Sequence, residues 1–334
     1  MAIAGTLDAA DPQAILEGAE IIRRGGLVAF PTETVYGLGA DACNPMAVAR
    51  IFEVKQRPSI DPLIVHIADA EDAGRFGEFL EPYAATLMAK FWPGPLTLVV
   101  RKSEIVPTIV TAGLDTVALR VPSHPAARAL IQASGRAIAA PSANPFGYVS
   151  PTLASHVREH LGDMIDLILD GGPCKVGVES TILWLAGPKP RVLRAGGVPV
   201  EEIEAIVGNV ERPRGRIARP EAPGQLTRHY ATQTPLQILR EDDLAALPRY
   251  RERVGLITLG LPRRGDSYTS VEVLSSSSDL REAAANLFAA LRRLDSQRLD
   301  RLVAFPMPET GLGLAIMDRL RRCSAGESNS EEDA

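Results

Sequence analysis

Cysteine is scarce in this chain of 334 residues, which holds only Cys43, Cys174 and Cys323. No two of them form a CxxC pair. The sequence therefore predicts neither a disulfide framework nor a zinc site. This cysteine usage fits a reducing compartment, and we expect a cytoplasmic protein.

Long apolar runs are missing as well. No stretch approaches the roughly 18 apolar residues that a membrane span needs. The segment from Met1 to Asp11 also lacks the basic and apolar regions of an export signal. We therefore expect a protein that is neither exported nor embedded in a membrane.

Positive charge is not in excess, since the formal net charge is -5 and the pI is near 5.7. A surface that coats nucleic acid needs many Lys and Arg contacts to phosphate, so any polyanion site must be local. The P-loop pattern GxxxxGK[ST] is absent, and no nucleophile, base and acid form a recognisable triad. Covalent catalysis is therefore not indicated.

The composition is that of a globular protein, with 46% hydrophobic and 23% charged residues, and the length predicts two domains. Short apolar runs alternate with helical segments, which predicts an α/β fold. Because the stretch 96–121 holds two strands joined by a loop, we expect an open, twisted mixed sheet in the first domain. The predicted strands are 27–30, 63–66, 96–100, 117–121, 137–140, 167–169 and 181–183. The predicted helices run from Asp11 to the Gly25-Gly26 stop, and over 45–55 behind Asn44, 82–91, 125–133 behind Ser123 and 152–161.

The composition changes after Gly208. Residues 211–224 contain four arginines, three prolines and two glycines, which predicts a linker. A second periodic region follows, with predicted strands at 236–239, 254–259, 271–274 and 302–305 and predicted helices at 280–294 and 312–322. We therefore predict a first domain over 1–208, a linker over 209–235, a smaller α/β domain over 236–325 and a disordered acidic tail over 326–334.

A polar segment, Pro31-Thr-Glu-Thr-Val-Tyr-Gly37, directly follows a predicted buried strand. Open α/β sheets place their ligand crevices at the carboxyl ends of strands, so the hydroxyls of Thr32, Thr34 and Tyr36 are candidates for a small polar ligand. The alternative is an ordinary polar turn.

Lys55 and Arg57 stand at the end of a predicted helix, and Pro58 then shapes the loop that leads to Asp61. One interpretation is a solvated helix terminus, where cations complement the helix dipole. The other is a phosphate site, since arginine offers a bidentate fork and lysine a compact charge.

Two residues inside predicted strands are unusual there. His66 closes an apolar strand, where a histidine is more often a core residue with its hydrogen bonds satisfied than a ligand contact. Arg120 lies within Val117–Val121 and is costly to bury alone, so it either projects to the sheet edge or meets an anionic partner.

Short polar side chains follow other strands. Ser142 and Asn144 come after the strand at 137–140, and both a phosphate or ribose contact and a plain turn fit them. Ser180 precedes a strand, and Arg194 begins an Arg-Ala-Gly-Gly loop that permits close approach.

Together, the Pro31–Gly37 segment, Lys55-x-Arg57 and Ser142-x-Asn144 resemble the YrdC-like family. The stretch Arg228-His-Tyr-Ala231 and the C-terminal α/β region narrow the resemblance to its two-domain branch, the L-threonylcarbamoyl-AMP synthases. The likeness covers nearly the whole chain and is strongest from Arg23 to Gly197.

The resemblance implies a nucleotidyltransferase that converts ATP, L-threonine and bicarbonate into threonylcarbamoyl-AMP and pyrophosphate. The product is the activated intermediate for the threonylcarbamoyl modification of adenosine beside certain tRNA anticodons. Downstream tRNA threonylcarbamoyl transfer proteins are therefore implied partners, whereas stable nucleic-acid binding is not required. Mg²⁺ is expected on the phosphates of ATP.

The family pattern also implies a site, in which Lys55 and Arg57 take the catalytic role. The side of the pocket that holds L-threonine would be Thr34, His66, Arg120, Ser180 and the backbone of Ala140. The ATP contacts would be Lys55, Arg57, Asp61, Thr116, Ser142, Asn144, Ser150, Arg194 and Tyr230.

Two departures from the family pattern matter. Asp61 stands where Asn is common, and an acid beside a triphosphate is unfavourable unless magnesium or a neighbouring arginine compensates. In the linker, Ala222 stands where a serine is usual, and Thr232 where a proline is usual. The stretch Arg228–Tyr230 is still a candidate lid that excludes water from a labile carbamate.

Two other functions stay open. An RNA-binding module would use Lys55, Arg57, Arg120 and Arg194 as a basic surface, but the overall acidity and the lack of aromatic clusters disfavour it. A carbamoyl-transfer enzyme that uses carbamoyl phosphate would carry zinc-binding and acylphosphatase-like regions, which this sequence lacks.

Overall fold

The computed structural model describes residues 5–212, 220–226 and 229–325. The chain divides into two compact units. The first comprises residues 1–146, 150–175 and 179–226, and the second comprises 147–149, 176–178 and 227–334. The predicted tail over 326–334 and Arg228 of the predicted lid lie outside the described residues, and the domain boundaries stay predictions.

The first unit is built on one mixed sheet of eleven strands. Its strands are β1 Gly5–Asp8, β2 Val28–Phe30, β3 Gly37–Asp41, β4 Ile64–His66, β5 Gly77–Glu78, β6 Leu96–Lys102, β7 Thr116–Arg120, β8 Ile138–Ala139, β9 Leu167–Asp170, β10 Thr181–Trp184 and β11 Arg191–Arg194. They are ordered β1-β9-β2-β3-β8-β4-β7-β6-β10-β11, with β5 paired to β6. Parallel pairs such as β4 with β7 coexist with antiparallel pairs such as β6 with β7, which confirms the predicted mixed sheet.

The helices of this unit begin where the sequence offers caps. Asp11 accepts a hydrogen bond from the Gln13 N–H, and Asn44 accepts from Met46 and Ala47. One predicted cap was wrong, because the residue that precedes the helix is His124 rather than Ser123. The His124 side chain accepts a hydrogen bond from the Ala126 N–H. The helices are α1 Pro12–Arg23, α2 Pro45–Lys55, α3 Ala73–Phe76, α4 Tyr83–Phe91, α5 Pro125–Ser134, α6 Ala154–Leu161 and α7 Val200–Val207.

Strand β3 was not predicted, because Gly-Leu-Gly-Ala-Asp has low β-propensity. Its place in the sheet depends on close packing: a Cβ at Gly39 would lie 2.7 Å from both Phe30 and Ile138. Only glycine leaves room for these two side chains, so the segment can join the sheet although its residues have low β-propensity. Strands β1, β5 and β11 and helices α3 and α7 were also not predicted.

The second unit is a four-stranded parallel sheet with two long helices. Its strands are β12 Leu236–Ile238, β13 Val254–Thr258, β14 Ser270–Val273 and β15 Arg301–Ala304, in the order β12-β15-β13-β14, and its helices are α8 Leu280–Asp295 and α9 Gly313–Ser324. This arrangement confirms the predicted smaller α/β region. Among the described helices, none has both the length and the apolar character needed to cross a bilayer.

Candidate functional site

Two neighbouring strands of the first unit end in polar side chains that were both predicted for the amino-acid side of the pocket. Strands β4 and β7 run in parallel, and their register pairs His66 with Arg120. Both side chains are buried, Arg120 with only 3% of its surface exposed. Arg120 Nη2 donates to Thr34 Oγ1 at 3.0 Å, so three predicted residues from distant stretches lie together.

Thr34 is held in place by a local turn. Thr32 Oγ1 accepts hydrogen bonds from the Thr34 N–H at 3.1 Å and the Val35 N–H at 3.2 Å. The Thr32 hydroxyl also donates to the Val35 carbonyl at 2.6 Å. A threonine side chain thus satisfies the backbone after β2, and both threonine hydroxyls are buried. The segment is a polar turn, as one interpretation held, and it also presents Thr34 to Arg120.

A second segment lies beside this turn. The Ala140 N–H donates to the Ile64 carbonyl at 2.9 Å, and the Ala143 N–H donates to the Tyr36 carbonyl at 2.8 Å. Ser142 forms an isolated antiparallel bridge with Gly37. The backbone therefore brings the predicted Ala140–Asn144 group next to the Pro31–Gly37 segment.

Lys55 is not at a solvated helix end, as one interpretation had it, because only 1% of it is exposed. Its Nζ donates to the Ser142 carbonyl at 2.6 Å and also to the Asn144 carbonyl. Burial is the main cause that lowers the pKa of Lys55, and the nearby Arg57 charge lowers it further. The side chain therefore fixes the segment 142–144.

Arg57 is buried in the loop that follows α2. Its Nε donates to the Asp61 carbonyl at 3.1 Å, and its Nη2 donates to the Pro62 carbonyl at 2.9 Å. Gln56 makes this turn possible, since it ends the helix in the left-handed conformation with φ 52°. The guanidinium is thus held on the first residues before β4.

Asp61 is fully buried and lies 2.9 Å from Arg57, measured from Oδ2 to Nη2. Burial raises the pKa of Asp61, and the charges of Arg57, Lys55 and Arg194 oppose that rise. The neighbouring arginine that the sequence required beside this acid is therefore present. Asp61 Oδ1 has no hydrogen-bond partner among the described residues.

Arg194 lies near the same acid and binds Ser180. Its Nη2 donates to the Ser180 carbonyl at 3.0 Å and to the Ser180 hydroxyl at 3.1 Å. Thr97 Oγ1 lies 2.7 Å from the Ser180 Oγ. The glycine loop after Arg194 approaches closely, since a Cβ at Gly196 would lie 2.2 Å from the Glu179 carbonyl oxygen.

Three more of the residues predicted to contact ATP are Ser150, Thr116 and Tyr230. Ser150 is buried and donates to Glu179 Oε1 at 2.6 Å. Thr116 begins β7, on the same face as Arg120 but about 13 Å away along the strand at a rise of 3.3 Å per residue. Tyr230 belongs to the second unit, where its ring stacks on Phe288 with centroids 5.4 Å apart.

His66 is held neutral by its surroundings. Burial, with a further contribution from the Arg120 charge, lowers the pKa of His66 to about 3. Its Nδ1 has no hydrogen-bond partner among the described residues. Buried polar atoms are nearly always paired, so this nitrogen favours a ligand contact over the core role that a histidine in a strand usually has.

Two buried acids of the site were missed by sequence reasoning, Glu33 and Glu179. Glu33 Oε1 lies 2.7 Å from Arg120 Nη2, so Arg120 does meet an anionic partner, and that partner comes from the protein. A signal for Glu33 existed, because an arginine buried inside a strand calls for an acidic partner and Glu33 stands within the polar segment that follows β2.

Comparison with known proteins gives two matching family models. Residues 20–196 match the Sua5/YciO/YrdC model, described as "Telomere recombination", and residues 198–325 match a model described as "Threonylcarbamoyl-AMP synthase, C-terminal domain". Two similar curated relatives are both named threonylcarbamoyl-AMP synthase. The protein of Pyrococcus abyssi is 45% identical, covering 92% of each chain, and that of Bacillus subtilis is 44% identical, covering 95% of this chain and 94% of its own.

A solved structure is similar over nearly the same length. It is a crystal structure of Sua5 from P. abyssi complexed with L-threonine. Its TM-score is 0.88 at 43% identity, and the match covers 94% of this chain and 95% of the other.

Proposed function

The chain belongs to the Sua5/YciO/YrdC family, and on this premise we propose that it is a threonylcarbamoyl-AMP synthase. As a nucleotidyltransferase, it would convert ATP, L-threonine and bicarbonate into threonylcarbamoyl-AMP and pyrophosphate. The relatives that carry this name are similar along most of their length, including the second unit.

The observation that carries the proposal is the buried cluster of Lys55, Arg57, Asp61 and Arg194 in the first unit. Arg57 pairs with Asp61, and the charges of Lys55 and Arg194 also act on this acid. Basic side chains buried around one carboxylate form a site that an anion can complete, because burying charge is costly without a compensating partner. A triphosphate supplies that anion.

The proposed reaction brings two negatively charged groups together, the carbamate and the triphosphate. The amine of threonine captures bicarbonate as a carbamate and releases water. One carbamate oxygen then attacks the α-phosphorus of ATP, and the bond from that phosphorus to the bridging oxygen breaks to release pyrophosphate. Fixed cations that offset the repulsion between carbamate and triphosphate supply much of the barrier reduction.

The amino-acid end of the site would lie at Thr34, His66 and Arg120. A guanidinium suits the carboxylate of threonine, and the neutral imidazole of His66 suits a hydroxyl or amine. Ser180 and the backbone of Ala140 complete this end in the proposal, since Ala140 is hydrogen-bonded to β4 two residues before His66.

Magnesium would be held mainly by the phosphates of ATP. Among the described residues no group of three or more acidic, histidine or cysteine side chains forms a metal cage. Asp61 Oδ1, which lacks a partner there, is a fitting single protein ligand, since Mg²⁺ is often bound by one carboxylate together with substrate phosphates. The ion would neutralise phosphate charge.

The further ATP contacts proposed are Thr116, Ser142, Asn144, Ser150 and Tyr230. The product would pass to tRNA threonylcarbamoyl transfer proteins in the cytoplasm, without stable binding of nucleic acid by this chain. The hydrogen bonds from Lys55 to the carbonyls of Ser142 and Asn144 support the grouping of the first-unit residues.

The test is pyrophosphate release by the purified chain from Mg-ATP in CO₂-free buffer. We expect release only when L-threonine and bicarbonate are both added. Release without threonine, or none at all, would contradict the proposal. Carbamoyl phosphate in place of bicarbonate tests the carbamoyl-transfer alternative, and a salt-dependent complex with tRNA in the absence of turnover would favour an RNA-binding module.

A further inference from the structure

Glu33 is a buried carboxylate with both of its oxygens engaged. Oε1 accepts from Arg120 Nη2 at 2.7 Å, and Oε2 accepts from the Ser123 N–H at 3.0 Å. Only 7% of the residue is exposed. Two partners on different elements therefore fix both the position and the rotation of this carboxylate.

Three of the five N–H donors of Arg120 are hydrogen-bonded. Nε donates to the Gly94 carbonyl at 3.2 Å, and Nη2 donates both to Glu33 and to Thr34 Oγ1. In the part of the chain that the structure describes, Nη1 makes no such hydrogen bond. Its two N–H groups are therefore what the guanidinium offers to a ligand.

We propose that Glu33 is a positioning residue that aims Arg120 Nη1 at the carboxylate of an α-amino-acid substrate. The inference rests on the proposed function and adds to it how the amino acid is held. Because Glu33 and Thr34 together occupy Nη2, the guanidinium cannot bind the substrate carboxylate in a side-on, bidentate manner. The contact is therefore end-on, through Nη1.

The charge of Glu33 is as important as its shape. A buried guanidinium without an acid would be an uncompensated cation, whereas the pair is neutral before the substrate arrives. An amide at this position keeps one acceptor oxygen but replaces a charge-assisted hydrogen bond with a weaker neutral one. The guanidinium would then be less well fixed, and the contact to the substrate carboxylate would weaken.

The experiment compares Glu33→Gln with the unaltered chain in the pyrophosphate assay. We expect the KM for L-threonine to rise at least about tenfold, the loss of roughly one hydrogen bond to a charged group, with the KM for ATP changed less than about twofold. L-threoninol, which lacks the carboxylate, should inhibit both proteins to the same extent, because the contact that is lost serves the carboxylate alone.

Glu252→Gln is the matched control. Glu252 accepts from Arg301 Nε at 2.7 Å in the second unit, so the substitution removes an ion pair of similar length outside the proposed site. Both KM values should stay unchanged in this variant. Glu33→Asp keeps the charge but withdraws it by one methylene, and it should also raise the KM for threonine. This variant replaces Glu33→Gln in the test if the glutamine variant folds poorly.

The outcomes separate the two ideas. An unchanged KM for threonine, or an equal rise in both KM values, would overturn the positioning role while leaving the proposed function intact. If the unaltered chain releases no pyrophosphate with threonine and bicarbonate, the proposed function fails and the positioning role fails with it.

Discussion

The two units differ in how deeply their most buried ion pairs lie. In the first unit, Arg57 with Asp61 and Arg120 with Glu33 are both almost fully shielded from solvent. Among the described pairs of the second unit, none has both partners so deeply buried, and in the pair of Arg293 with Glu272 the arginine side chain is 55% exposed. A core cluster of its sheet is apolar and includes Leu256 and Val303.

This difference in burial bears on the proposed location of the chemistry. Burying a charge is costly even when it is paired, and a well-packed apolar core would stabilise a sheet at least as well. The second unit shows that this chain can build such a sheet. The buried charges of the first unit therefore support the proposed ligand site.

The second unit also contains a fully buried cation. Arg319 is fully buried, donates to Asp318 at 2.8 Å and lies over the ring of Tyr230 at 5.1 Å. Tyr230 itself has a positive φ of 64° and no exposed surface. A residue predicted to contact ATP is thus packed inside the second unit, and that contact stays a prediction.

The largest effect is expected from Arg57→Ala. It leaves Asp61 buried without its partner, and we expect a loss of about 3–5 kcal/mol in the free energy of unfolding. Activity should fall at least about 100-fold, since a cation of the proposed phosphate site is gone. Urea denaturation and pyrophosphate release measure the two effects. A loss no larger than that of a surface arginine would remove the contrast between the units.

The next effect concerns Tyr230. Tyr230→Ala removes a ring stacked on Phe288, and we expect it to cost about 3–5 kcal/mol by urea denaturation. Under the lid hypothesis it also raises the amount of ATP hydrolysed per product formed. Tyr230→Phe keeps the stacking, so a several-fold rise in its KM for ATP would support a hydroxyl contact. In Tyr230→Ala, an unchanged ratio of ATP hydrolysed to product formed would contradict the lid hypothesis.

The pH dependence of stability follows from His66. Its pKa is lowered from 6.5 to about 3, so the folded chain keeps the imidazole neutral while the unfolded chain protonates it. The stability that this group contributes is present above pH 6.5 and is lost as the pH falls, by about 1.4 kcal/mol per unit between 6.5 and 3. His66→Gln should flatten that slope in denaturation curves measured from pH 7 to pH 4. An identical slope in both proteins would contradict the assignment.

The smallest effect is expected from Arg293→Ala. Its pair with Glu272 is exposed on the arginine side, and we expect a loss of less than about 1 kcal/mol, reduced further by salt. Thermal or urea unfolding at two salt concentrations measures it. A cost as large as that of Arg57→Ala would show that the second unit also depends on its ion pairs.

Much of the fold could be predicted from the sequence because the signals are local. Asp11-Pro12 and Asn44-Pro45 mark helix starts through side chains that cap the next turn. Apolar runs such as Leu96–Val100 are strands in the structure. Strand β3 escaped prediction because its residues join the sheet through contacts with Phe30 and Ile138, which are not its neighbours in the chain.

The candidate site residues could be named from the sequence, and their roles stay predictions, whereas their ion pairing was not predicted. Thr34, Arg120 and Ser142 could be named from short motifs, each attached to the end of a strand. The burial of Lys55 and the pairing of Glu33 could not be foreseen in the same way. Lys55 and Ser142 are 87 positions apart in the chain, and so are Glu33 and Arg120.

The class of the fold, most of its elements and the family could be predicted from the chain alone, since caps, periodicity and motifs involve adjacent residues. Which charges are buried, and which acid pairs with which base, could be known only from the folded protein. Burial and ion pairing depend on the local dielectric and on distances of a few ångströms between groups far apart in the chain. Those distances exist only once the sheet has assembled.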